Sequence, residues 1–416
     1  MEDQKSNKAM LITVGTGKTR EDVAHGIAVS IRNVKPDHVL FFASNESTET
    51  IQHVIRFCEE CVFTHEIITI PTIEDFQKLH FFIEGKIEEL DRNGFSRANI
   101  VSDYTSGTKA MSAAMVSASL ESEVADISYV SGERKYGAEG GVVSSGTEKV
   151  YSLSPLLIRA EKKLKTFYSY FNKYQFTACI ELLNPMRNQT DVQAHFPVQF
   201  LYDLTRLIKH WDMFLFNQAK NIAAAMLKNH TYITESDKQK IDLTLVEKTL
   251  IELDKRGYSF AKVIDLLANA GRRAEEGKYD DASARLYRVL EMVGQVEFNA
   301  VFSCDTNSVD PAVLPEKIKA SFIKNYSPNE GKHLKLPLTA TYIALGAAGN
   351  KIGKKYERSS DRILTFTRIR NNSILAHGSV PVQKADYENL RTIVVDFIPE
   401  QELKKLPDHE FNFFKG

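Results

Sequence analysis

The chain has 416 residues, with 53 basic and 54 acidic side chains, a formal net charge of −1, 43% hydrophobic and 26% charged residues. These values suit a soluble globular protein of two or three domains. They exclude a global basic field for nucleic acid, so any such contact has to be local or built from two chains. No apolar run approaches the length of a membrane span. The start, Met1-Glu2-Asp3-Gln4-Lys5, is polar and lacks a signal-peptide pattern, so a cytoplasmic location is expected. Four cysteines make no disulfide framework. Cys58-x-x-Cys61 admits a redox pair or half a zinc site, but it falls late in a helical segment, and all four are read as reduced, mostly structural thiols.

In chain order, an apolar strand over 10–14 runs into Gly15-Thr16-Gly17-Lys18-Thr19. A helical pattern covers 20–34 and stops before Pro36, and a second strand, 38–43, ends in Ser44-Asn45-Glu46-Ser47-Thr48. A helix then reaches about residue 60, followed by a strand over 66–70, a helix over 73–90 closed by Asn93-Gly94, and a strand over 98–102. That strand enters Asp103-Tyr104-Thr105-Ser106-Gly107-Thr108-Lys109 and a helix of small residues to 119. A fifth strand, 125–130, precedes a Gly-rich stretch over 132–146 and a last strand near Val150. Strands alternating with helices predict a doubly wound, Rossmann-like parallel sheet.

Ligands of such sheets bind outside the carboxyl ends of the strands. Three small, polar loops fall there: Gly15-Thr16-Gly17, Ser44-Asn45 and Thr105-Ser106-Gly107-Thr108-Lys109. Free backbone N–H groups, hydroxyls and helix N-termini favour phosphate, although tight turns use the same residues. The Gly-Lys-Thr at 17–19 is not a P-loop, because the position five before Gly17 is Ile12. The dinucleotide fingerprint fails too, with Arg20 where its third glycine belongs.

Asp103-Tyr104-Thr105-Ser106-Gly107-Thr108-Lys109-Ala110-Met111 resembles the D-x-T-G-G-T-K-x-M signature of CARF domains, with Ser106 in place of a frequent glycine. The resemblance implies a dimeric sensor that binds a cyclic oligoadenylate across a two-fold axis. It assigns the lining to Thr16, Gly17, Ser44, Asn45, Thr105, Ser106, Gly107, Thr108 and Lys109.

From Pro155 onward no convincing strand appears. Helical patterns cover 158–183, 198–227, 243–276 and 280–298, with shorter ones at 315–325, 339–350, 360–377 and 384–398. The expected division is therefore 1–154, a sensor domain, and 155–416, an all-helical domain. His195, His210 and His230 lack metal-ligand spacing and are read as structural. The cation-rich stretch from Arg272 to Arg288 admits an RNA groove, but core-edge packing or a solvated face is the stronger reading.

Near the end stands Arg368-Ile369-Arg370-Asn371-Asn372-Ser373-Ile374-Leu375-Ala376-His377-Gly378. It reads as the last turns of a helix, with Gly378 as the C′ residue and Pro381 as a stop. On that helix Arg370 and His377 share a face, about 10 Å apart, so one site needs a second, antiparallel copy. A guanidinium holds a phosphate and an imidazole moves a proton near neutral pH. A surface arginine and a satisfied histidine are the ordinary reading of such a pair. Arg370 and His377, with six residues between them, are similar to the R-x4-6-H motif of HEPN ribonucleases. His210-Trp211-Asp212-x-Phe214 and the stretch from Asp265 to Arg288 also resemble the CRISPR-associated CARF–HEPN ancillary ribonucleases of type III systems.

That resemblance implies a homodimeric, metal-independent endoribonuclease acting on single-stranded RNA, with no metal and no cofactor beyond its activator. It implies His377 as base or acid, Arg370 on the scissile phosphate, and Asn371 and Ser373 orienting them. Products would carry 2′,3′-cyclic phosphate. The activator would be a cyclic oligoadenylate, cyclic tetra-adenylate ahead of hexa-adenylate, which the sensor domain could itself cleave slowly. No membrane association and no stable binding to the CRISPR effector complex are expected. Two rivals remain: a sensor whose helical half is a binding or regulatory module, and a metal-dependent nuclease, which needs an acidic cluster on strands that the C-terminal half lacks.

Overall fold

In the computed structural model, β1 (Ala9–Val14) is buried along its whole length, because each of its faces meets a helix layer. The structure describes residues 7–17, 19–133, 147–229, 241–327, 333–375 and 378–404, the side chains of Ser360, Phe366 and Arg370 excepted. Around β1 lie β2 (His38–Ala43), β3 (Thr64–Thr69), β4 (Ile100–Asp103), β5 (Asp126–Ser131) and β6 (Lys149–Leu153), in the order β3-β2-β1-β4-β5-β6. All neighbours are parallel except β6, which pairs antiparallel with β5 at the edge. The crossovers are α1 (Arg20–Val34), α2 (Thr48–Phe57), α3 (Phe76–Arg92) and α4 (Lys109–Glu121). Met10, Ile12 and Val14 of β1 face α1 and α2, whereas Ala9 and Leu11 face α3 and α4. The strand therefore reads as an unbroken apolar run, as a doubly covered parallel strand must.

Two compact units emerge, Met1–Leu164 and Lys165–Gly416, divided within α5 (Pro155–Phe171). The second unit is helical: α6 (Phe176–Leu183), α7 (Thr190–His195), α8 (Val198–Asp212), α9 (Phe216–Lys228), α10 (Leu243–Asp254), α11 (Phe260–Glu275) and α12 (Tyr279–Phe302). Then follow α13 (Glu316–Tyr326), α14 (Leu338–Ala347), α15 (Lys351–Arg358), α16 (Ser360–Asn372), α17 (Lys384–Asp396) and α18 (Glu400–Leu403). Its main core is built on α12, with Leu286, Val289, Leu290 and Val293 packed against α11, α14 and α17. Buried Tyr342 donates its hydroxyl to the Leu290 carbonyl at 2.7 Å and stacks on Tyr356 at 4.5 Å.

Three helices expected as single runs are each broken into a pair. The breaks fall at Tyr174 (φ 59°), Phe214 (φ 61°) and Gly257 (φ +85°). Only the last carries the glycine that normally announces a left-handed residue. At the other two, the apolar spacing continues across the turn and hides it. The 360–377 helix also ends early, at Asn372. Among the described residues of this unit, pairing outside helices is confined to the isolated bridges Val309–Leu334 and Ser373–Val380.

Candidate functional site

The sheet order reverses between β1 and β4, so the crevice of a doubly wound sheet opens there, between the loops leaving their carboxyl ends. Those loops are pressed together. A Cβ on Gly15 would lie 2.8 Å from the Gly107 backbone nitrogen, and Gly107 has φ +104° with Thr13 and Met111 against it. Glycine is required at both positions, by contact at one and by backbone at the other.

Ser106 shows why a hydroxyl tolerates the glycine position of the signature. Its Oγ donates to the Thr13 carbonyl at 2.7 Å and accepts from Gly15 N–H at 3.2 Å, while Thr13 Oγ1 donates to the Ser106 carbonyl at 2.5 Å. The side chain thus staples the β4 loop to β1. Thr105 is likewise engaged in the scaffold: its hydroxyl accepts from Val130 N–H at 2.9 Å. Thr108 caps α4, accepting from Met111 N–H at 3.2 Å and donating to the Ile73 carbonyl at 2.5 Å. Ser44 belongs to a small capping turn, its N–H donating to Ser47 Oγ at 2.9 Å. Thr16 is half-buried, and Gly17, Asn45, Gly107 and Lys109 are exposed around the crevice. Lys18 lies outside the described residues.

The two helix N-termini at this crevice differ. Glu21 and Asp22 occupy the first turn of α1, which weakens its pull on an anion. The first turn of α4 has no acidic residue and begins with Lys109, so phosphate is favoured on the β4 side.

Sequence reasoning passed over the buried support of this loop. Asp103 is fully buried. It accepts from Ser30 Oγ at 2.5 Å, Ser128 Oγ at 2.8 Å and Thr105 N–H at 2.8 Å. Burial pushes its carboxyl upward, and these three donors pull it back. The acidic head of the signature was its only trace in the sequence. Thr50, which donates to the Gly15 carbonyl at 3.2 Å, left none.

At the other candidate site, α16 anchors through Ile363 in the core and ends at Asn372. The chain then folds back on that end. Gly378 N–H donates to the Ser373 carbonyl at 3.2 Å, and Val380 N–H donates to the Asn372 carbonyl at 3.1 Å. A Cβ on Gly378 would stand 2.0 Å from the Asn372 oxygen. This corrects the expectation of a helix running to 377 with Gly378 as its C′ residue: the helix ends at Asn372 and the glycine serves close backbone approach. Arg370 lies in the last turn of α16, with its side chain outside the described set, and His377 lies outside the described residues. Asn371 is exposed and Ser373 is buried. Leu364, Ile374, Leu375 and Val380, on α16 and the turn after it, are 63, 59, 59 and 62% exposed.

The two other stretches singled out in the helical half meet each other. Trp211 Nε1 donates to Asp265 Oδ1 at 2.7 Å. Asp212 Oδ1 accepts from Arg272 Nε at 2.8 Å and Asn269 Nδ2 at 3.1 Å, and its Oδ2 accepts from Arg273 Nη2 at 2.9 Å. Arg272 is 1% exposed. Arg285 pairs with Asp281 at 3.1 Å and Arg288 with Glu291 at 2.9 Å. The cations of this stretch therefore serve packing and local pairs, as the stronger reading held. Burial pushes the Asp265 carboxyl up to about 6, against the pull of Arg272.

His195 and His210 each place Nδ1 on a carbonyl of their own helix, Asp191 at 2.7 Å and Arg206 at 2.6 Å; His230 lies outside the described residues. Among the described residues, His80, Glu84 and Glu121 form a group with cation-ligand spacing, and it contains none of the site residues expected from sequence. No helix of the described residues is long and apolar enough to cross a membrane.

A Rossmann-like domain with a phosphate-friendly crevice is thus followed by a helical domain whose sequence carries the Arg370–His377 motif. Residues 254–401 match the family model of the Csm6 HEPN domain. That match assigns a Csm6-type HEPN domain to this part of the helical unit, leaves residues 1–253 outside it, and supports an endoribonuclease. Among solved structures, Enterococcus italicus Csm6 bound to cyclic hexa-2'-fluoro-hexa-dAMP aligns over 98% of this chain and 97% of its own, with 12% identity and a TM-score of 0.64. That likeness shows the fold. Protein VC1899 from Vibrio cholerae aligns over 72% of this chain and 70% of its own, at 9% identity and a TM-score of 0.26, too low to bear on the fold. No curated protein matches the sequence.

Proposed function

We propose that this protein is a homodimeric endoribonuclease of type III CRISPR antiviral defence, switched on by a cyclic oligoadenylate and cutting single-stranded RNA without metal. The observation that carries the reading is that Arg370 and His377 both fall inside the matched HEPN segment. Arg370 holds the scissile phosphate and stabilises the charge that builds on it. His377 takes the proton from the 2′-hydroxyl or supplies one to the leaving 5′-oxygen. The 2′-hydroxyl is the nucleophile, so the products carry 2′,3′-cyclic phosphate and 5′-hydroxyl ends. Asn371 and Ser373 position this pair, Ser373 through its buried place in the turn that closes α16.

The uncovered apolar group of Leu364, Ile374, Leu375 and Val380 supports a second copy at this helix end. Two copies would bring both Arg370–His377 pairs together in one site.

In the sensor domain, exposed Gly17, Asn45, Gly107 and Lys109, half-buried Thr16, Ser44 and Thr108, and the acid-free start of α4 suit a phosphate-rich ring. Ser106 and Thr105 act by holding the loop. The ring must bind the active dimer more tightly than the resting one. Cyclic tetra-adenylate is the expected activator. The six-membered ligand of the Enterococcus italicus protein makes cyclic hexa-adenylate the second arm of the test. Slow cleavage of the ring in this pocket, through a 2′-hydroxyl held by Thr16 or Ser44, belongs to the same proposal.

The test is cleavage of a fluorescent single-stranded RNA in EDTA, with each ring and with none, for the native protein and for Arg370→Ala and His377→Ala. Cleavage that needs a ring, tolerates EDTA and falls by roughly 100-fold or more in both variants is expected. A folded dimer that binds a ring but cuts nothing would overturn the nuclease part and leave a sensor acting by binding alone.

A further inference from the structure

Cys58 and Cys61 have no part in the proposed reaction. They lie at the pole of the sheet away from the crevice, where α2 ends and the chain turns into β3. The helix stops at Phe57, so the Cys-x-x-Cys is in the turn after the helix and not within it, a correction to the sequence reading. Cys61 N–H donates to the Cys58 carbonyl at 2.8 Å, closing a four-residue turn. Such a turn brings its first and last Cα atoms within about 7 Å, and disulfides span Cα separations of roughly 4.4–6.8 Å. Cys58 is 3% exposed among apolar residues of α1 and α2, whereas Cys61 is half-buried and lines an open cleft of about 460 Å³ with Arg32, Lys35, Asp37, Glu60 and Phe63. Among the described residues no third metal-ligand side chain joins the pair.

We propose that Cys58 and Cys61 form a redox-active dithiol that closes to an intramolecular disulfide when a peroxide enters this cleft. The Cys61 sulfur, the accessible one, attacks a peroxide oxygen, breaking the O–O bond to give a sulfenic acid and one water. The Cys58 sulfur then attacks the Cys61 sulfur and expels the sulfenic oxygen as a second water. Two thiols are oxidised by two electrons, one peroxide is reduced, and both thiol protons leave in water. Burial holds the Cys58 thiol up at about 12, which makes it a poor first nucleophile. Its place in the same closed turn as Cys61 makes the second step intramolecular, which compensates. The bond would pin the turn between α2 and β3.

The experiment exposes the whole folded protein to hydrogen peroxide, alkylates it in denaturant and digests it without reductant. Cys58 and Cys61 lie together between Arg56 and Lys78, with no other tryptic site between these two, so one peptide reports both. The expected result is loss of both alkyl groups and of two hydrogens, reversed by reductant. In Cys61→Ser, Cys58 stays reduced and alkylatable under the same exposure. A native peptide that remains doubly alkylated, one oxidised to sulfinic acid at Cys61 alone, or a bond between two chains would each overturn the proposal.

Discussion

Asp212→Ala should cost the helical unit on the order of 3–5 kcal/mol, because it removes a carboxylate from two guanidinium groups, one of them almost fully buried. Three side-chain donors converge on Asp212: Arg272 Nε at 2.8 Å, Arg273 Nη2 at 2.9 Å and Asn269 Nδ2 at 3.1 Å. Arg273 keeps Glu276 at 2.9 Å, and Arg272 keeps the attraction of Asp265, so the lower end of the range is the better figure. For a unit of this size, ~3 kcal/mol lowers the midpoint of thermal unfolding by about 6–12 °C. The assay is built into the molecule, since its single tryptophan, Trp211, donates to Asp265 in the same network. Thermal unfolding followed by tryptophan emission therefore reports the affected region directly. In Asp212→Ala with Arg272→Met, part of the loss should return, because the stranded charge is gone. A shift below about 2 °C in the single variant, with unchanged emission, would refute a structural role for the network.

Asp265 has a folded-state pKa of about 6, above its usual carboxylate value, so the unfolded chain ionises first. Stability should therefore fall as pH rises from about 4 to about 6, by on the order of 3 kcal/mol, and Asp265→Asn should flatten urea titrations over that window. Gly15→Ala puts a methyl 2.8 Å from the Gly107 nitrogen, so the loops must part at about 1–3 kcal/mol. Ring binding, measured calorimetrically, should weaken roughly tenfold or more, with the tryptophan-reported melt unchanged. Leu364→Glu and Val380→Glu place charges in the exposed apolar group beside α16. Sedimentation should show a shift toward monomer and RNA cleavage should fall with it; dimers of unchanged affinity would refute that surface as the contact.

Much of the Rossmann-like domain was legible because its signals are local. Alternating apolar runs and glycine-ended loops marked every strand of the sheet, and the Asp103–Met111 signature marked its most structured loop. What that loop does with each residue was not legible. The bonds that turn Ser106 inward run to Thr13 and Gly15, distant in sequence, and Thr105 is held by Val130 on another strand. In the helical half, periodicity placed the helices but not their breaks at Tyr174 and Phe214, since a left-handed residue without glycine leaves no compositional mark. The Arg370–His377 motif was visible as residue types and spacing, but the extent of its helix was not. A helix signal depends on neighbours three and four apart, whereas α16 is stopped by Val380 and Gly378 bonding back to its end. Likewise the Arg272 stretch showed its charge in sequence. Its burial was decided by Asp212 arriving from another helix, because a guanidinium stays in a core only where a carboxylate meets it. Sequence alone determined the strands, the helical content, the polar loops at the strand ends and the chemical groups available. Tertiary structure alone decided which of those groups stay open at the crevice and which hold the frame, because that choice depends on partners far away along the chain.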